Sequence, residues 1–144
     1  MSEIKNSYVA IVLAALVLTG CTMSLVASYD PNTVQQLEAL EKRVDRFFLE
    51  ASVIPEDQRQ YVRFAKQYMD IEVDIRALVR TQKRRASNEE TTKQAEILIN
   101  LWNKDMQTHK AKDSLSNFMV KLRATQYERL FSAMLDGEVA KKLD

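Results

Sequence analysis

From Val34 onward the apolar residues recur at intervals of three and four, the spacing that lines one face of an α-helix. Val34, Leu37, Leu40, Val44, Phe47, Phe48 and Ala51 form the first stripe. Asn32 or Thr33 stands where a cap belongs, and Thr33 with Gln36 has capping-box spacing. Pro31 keeps Asp30 out of the helical region. The clearest period is the second, Tyr61, Phe64, Tyr68, Ile71, Ile75 and Leu78, which predicts a helix from about Glu56 to about Arg85. Pro55 suits its first turn, and Glu56 and Asp57 suit the positive end of its dipole. Ser87 with Glu90 marks a further start, followed by Ala95, Leu98, Ile99, Trp102, Met106 and His109. A fourth stripe reads Leu115, Phe118, Met119, Leu122, Gln126, Leu130, Phe131 and Met134, capped by Asp113 or Ser114 and closed by Gly137. No breaker separates His109 from Asp113, so one continuous helix stays open as an alternative to two.

Such stripes bury themselves against one another, and the fold class they predict is all-α, an antiparallel bundle of three or four helices. The glycine count supports this. The chain has two glycines, Gly20 and Gly137, and none between Pro31 and Gly137, where a sheet protein of this size would need glycine in its turns. The aromatic stripe over Tyr61 to Tyr68 reads as core, not as a cofactor box.

The beginning of the chain follows another rule. No charge interrupts Asn6 to Ser28, and the strongly apolar part, Tyr8 to Leu18, follows a start carrying Lys5 and the free amine. It closes on Leu18-Thr19-Gly20-Cys21. The stretch is long enough to raise an uncleaved transmembrane helix, but Thr19, Gly20, Thr22 and Ser24 dilute its second half. The apolar core has signal-peptide length. Over residues 1–21 the chain resembles the bacterial lipoprotein (type II) signal class, with Leu-Thr-Gly-Cys as its lipobox. The resemblance implies cleavage between Gly20 and Cys21, a thioether-linked diacylglycerol on Cys21 and acylation of the new amine; two or three chains hold a protein stably on a membrane. Thr22 after the cysteine implies sorting to the outer membrane, facing the periplasm, or exposure on the outer face of the only membrane in a Gram-positive cell. The expected organisation is a signal over 1–20, a lipidated tether over 21–31 and a helical domain over 32–144.

Charge and chemistry add few constraints. Removing residues 1–20 takes one Lys and one Glu and leaves the net charge at +1, so no polyanionic partner is demanded and nucleic acid is not expected. The single cysteine is committed to the anchor, which leaves no thiol chemistry and no intrachain disulfide for the folded part. His109 is the only histidine, no glycine-rich loop exists to cradle phosphate, and no cofactor is expected. Asp105, His109 and Asp113, spaced by four, would line one face of an unbroken helix and form a candidate metal set, against the ordinary reading of surface pairs and a cap. Arg76, Arg80, Lys83, Arg84 and Arg85 gather in the last turns of the second helix. They answer the helix dipole, and they are also a candidate contact patch for anionic lipid, cell-wall polymer or an acidic partner. The expected function is non-catalytic: an envelope-anchored adaptor, assembly factor or inhibitor that meets another envelope protein through its bundle. A carrier or sensor of a small apolar ligand held between the helices is the alternative.

Overall fold

A computed structural model describes residues 26–143, and the described chain is all-α. Four helices follow in order: α1, Pro31–Val53; α2, Tyr61–Lys83; α3, Glu89–Lys112; and α4, Asn117–Ala140. Short 3₁₀ turns at Glu56–Gln58 and Lys141–Leu143 complete the order. The main packed pairs are α1 with α4 and α2 with α3, joined by α1 with α2 and α3 with α4. Contacts between ends make every neighbour antiparallel. Gln82 near the end of α2 reaches Thr33 at the start of α1, and Lys141 beyond α4 reaches Thr91 at the start of α3. The expected antiparallel bundle is the observed fold, with four helices, and α3 and α4 are separate.

The boundaries fall where local chemistry places them, which differs from the expectation at several points. Asp30, not Asn32 or Thr33, caps α1: it is extended (φ −129°, ψ 110°) and accepts the amides of Asn32 and Thr33. Pro31 then opens the helix at its first position, where no amide hydrogen is needed. The turn at Glu56–Gln58 does not continue into α2. Arg59, buried, stands between the turn and the helix, so α2 starts at Tyr61 and its 23 residues span about 35 Å, shorter than the expected helix from Glu56 to Arg85. Tyr61 receives no cap from its own loop; its amide donates to Asp113 Oδ1 at 2.8 Å. Asp113 itself takes the left-handed conformation (φ 47°) that ends α3, a region short polar side chains tolerate. It therefore caps α2 rather than α4. Ser116 caps α4, accepting the Met119 amide. Asn88, not Ser87, precedes α3. Gly137 does not end α4, which runs on to Ala140.

The core is aromatic at its middle. Phe47, Phe64, Tyr68, Trp102, Tyr127 and Phe131 are all essentially inaccessible to solvent. Phe47 touches Phe64, Tyr68 and Trp102 with ring centroids 4.7 to 5.5 Å apart, the tilted and edge-on arrangements that ring quadrupoles favour. Trp102 also donates its indole N–H to the Tyr68 carbonyl at 3.0 Å. The stripe of α4 is a correction. Val120, Tyr127, Phe131, Met134 and Glu138 face inward, whereas Phe118 and Leu122 are exposed and Gln126 lies on the surface. The expected stripe followed the larger apolar side chains; burial followed a row containing a tyrosine and a glutamate whose polar atoms find partners inside.

Candidate functional site

The polar groups closing the two ends of the bundle account for much of the chemistry that the sequence offered as candidates. At the end where the chain enters, Glu138 is fully buried and takes four hydrogen bonds: two from Arg85, one from Lys141 at 2.6 Å, and one from the Asp30 amide at 2.9 Å. Burial alone would raise its pKa, but these donors together hold it below the ordinary carboxylate value. Arg85 also reaches Gln82 Oε1, Thr33 Oγ1 and the Ser28 carbonyl. Asn88 joins by donating to Gln82 Oε1 and the Gln82 carbonyl. Ala27 donates its amide to the Ser87 carbonyl at 2.7 Å. Residues 26–30, the last part of the expected tether over 21–31, are therefore held against the bundle as a strap.

The opposite end is closed by Arg59. Its guanidinium lies in the dipole-negative end of α1, donating to the Ile54 carbonyl at 2.8 Å and the Ser52 carbonyl at 3.5 Å. It also crosses to the Leu115 carbonyl and Asn117 Oδ1, which ties the α1–α2 connection to the α3–α4 connection. Sequence reading passed over Arg59 because nothing in its spacing separates a buried arginine from a loop cation.

The candidate metal set is divided among three structural roles. Asp105 is buried, accepts the Tyr127 hydroxyl at 2.9 Å and pairs with Arg123 at 2.9 Å. Burial raises its pKa, against the opposing effect of Tyr127 and Arg123. His109 Nε2 donates to the Arg59 carbonyl at 2.8 Å, which leaves Nδ1 to accept the Tyr68 hydroxyl at 3.2 Å. This is the neutral form, and burial lowers the imidazole pKa. Asp113 faces away to cap α2. Among the described residues no group of three His, Cys, Asp or Glu side chains converges as metal ligands.

The basic patch is likewise taken apart. Arg76 pairs with Glu72, Lys83 with Glu96, and Arg85 turns inward to Glu138. Arg80 and Arg84 remain on the surface. Gly20 and Cys21 lie outside the described residues.

What the bundle leaves outside is a surface the sequence reading did not single out. A groove of about 850 Å³ runs along the α1–α4 seam, floored by Phe48, Leu49, Val120 and Ala124. Beyond Lys121, which lines both, a second depression contains Phe118 and Leu122. Leu49 is 66% exposed, Phe118 72% and Leu122 44%. Val53, 75% exposed, is on the last turn of α1. The cations around these depressions are Lys42, Arg46, Lys121 and Arg129, against one acid, Asp45. None of the four is in an ion pair among the described residues. Asp45 is raised in pKa by burial and then by Glu128; Glu41 is raised by burial and then by Asp45, Glu38 and Glu128. Acidic and basic side chains thus alternate along this side of α1, with Lys42 and Arg46 around Asp45. No family model, curated protein or solved structure matches the chain.

Proposed function

We propose that this protein is a lipoprotein of the cell envelope, anchored through Cys21, that acts by binding another protein with the surface of its helical bundle. The observation that carries the binding reading is the α1–α4 face. Leu49 stands exposed beside an open groove floored by Phe48, Val120 and Ala124, apolar surface left outside a core that is already closed. A binding role is supported by the buried polar groups Asp105, His109, Tyr127 and Glu138, each held in hydrogen bonds that tie the helices together. The interhelical space that a carried ligand would need is filled by Phe47, Tyr68, Trp102 and Tyr127. That favours binding on the outside.

The anchor reading rests on the Leu-Thr-Gly-Cys sequence and agrees with the strap. Cys21 precedes Val26 by five residues, a covalent reach of at most about 17 Å. An anchored chain therefore holds the Arg85–Glu138 end toward the membrane. The exposed apolar end of α1 then stands about 30 Å farther along the bundle, within reach of partners in the envelope. Among the described residues no helix is long and apolar enough to cross a membrane. Mass spectrometry of the protein from native membranes tests the anchor: a chain that starts at Cys21 and carries acyl mass supports it. A chain retaining Met1 and no lipid overturns it.

A further inference from the structure

The occupant of the α1–α4 face can be narrowed by shape and charge. Two antiparallel helices with small residues, Val120 and Ala124, between larger flanks make a concave channel along their seam, into which a third helix lays an apolar stripe. A flat lipid surface does not fill such a channel. A second copy is disfavoured by charge. Centred on the groove, a two-fold contact would bring Lys42, Arg46 and Lys121 of both copies together.

Resting on the binding reading above, we infer that the groove seats an amphipathic helix of another protein whose apolar stripe is flanked by Asp and Glu side chains. The stripe lies along Phe48, Leu49, Val120 and Ala124, and the flanking carboxylates meet Lys42, Arg46 and Lys121. The apolar contacts hold the helix, and the cations select its charge and speed its arrival.

The test uses the full chain in nanodiscs of zwitterionic lipid and two synthetic helix-forming peptides. Both carry leucines at i, i+3, i+4 and i+7; one has glutamates on its flanks and the other lysines. The acidic peptide is expected to bind at least about tenfold more tightly than the basic one, with salt weakening it. Lys42→Glu with Lys121→Glu should invert the preference, and Leu49→Ala should weaken the acidic peptide by about tenfold or more. Equal binding of the two peptides, no binding, or a preference untouched by the charge reversal overturns the inference. So does concentration-dependent dimerisation, or attachment to nanodiscs of anionic lipid, lost in the same double reversal. Any of these leaves the acyl mass on Cys21 unaffected, so this inference and the anchor reading fail separately.

Discussion

Replacing Arg85 with alanine separates two pictures of the end of α2. If Arg85 belonged to a solvated basic patch, its loss would change stability by no more than about 0.5 kcal/mol. In the structure its side chain is 16% exposed and both terminal nitrogens bond Glu138, whose side chain is 0% exposed. Removing one member of a buried pair costs roughly 3–5 kcal/mol, because the other charge is left without its partner. Lys141 and the Asp30 amide stay on Glu138 after the substitution, which places the expected loss near the lower end, about 3 kcal/mol. Gln82, Thr33 and the Ser28 carbonyl also lose a donor, so the strap over residues 26–30 should loosen as the bundle weakens. Trp102, the single tryptophan, sits in the core and reports unfolding by fluorescence in denaturant titrations of the full chain in nanodiscs. Arg85→Ala with Glu138→Gln completes a double-mutant cycle, in which the coupling should exceed about 1 kcal/mol. An Arg85→Ala loss below about 1 kcal/mol, indistinguishable from Arg80→Ala, would refute the buried network.

The remaining expectations are more local. Phe131→Ala should cost about 3–5 kcal/mol and Phe118→Ala less than about 0.5 in the same titrations, since only the first is buried; comparable losses would reverse the assigned face of α4. Asp113→Ala should cost about 1 kcal/mol by uncapping α2, with faster amide exchange in its first turn as the accompanying signature. His109 is lowered below its ordinary 6.5, so its contribution is complete above that pH and is lost as pH falls through the folded value. Glu138 acts in the same direction only below its ordinary 4.5. Asp105, raised above its ordinary 3.8, acts in the opposite direction. The difference between wild type and His109→Gln isolates the histidine: wild type should lose more stability between about pH 7 and pH 5, and parallel pH curves would remove His109 from that role.

The helical class and the core of α1 and α2 were legible because those stripes are long, unbroken and apolar, and burial there depends on little else. Phe47, Phe64, Tyr68, Ile71, Ile75 and Leu78 fall where their spacing puts them. The fourth helix was misread for a physical reason. It carries two candidate faces, and the one that turned inward contains Tyr127 and Glu138, whose partners Asp105, Arg85 and Lys141 come from other parts of the chain. Spacing cannot show that a polar side chain will be satisfied by a distant residue. The same limit hid Arg59 and misplaced Arg85 and Asp105. The outer face of α4 was missed for the complementary reason: Phe118 and Leu122 read as core, and only their exclusion from it reveals a surface.

The most direct test of an anchored binder is photo-crosslinking in cells from a benzoyl-phenylalanine placed at Leu49 or Ser52, compared with one at Val62 or Val73 on the outer face of α2. An anchored binder should give one protein cross-linked from the α1–α4 positions, through a segment with an acid-flanked apolar stripe, and lost when Cys21→Ser removes the anchor. Equal cross-linking from both faces, or a product undiminished in Cys21→Ser, would contradict it.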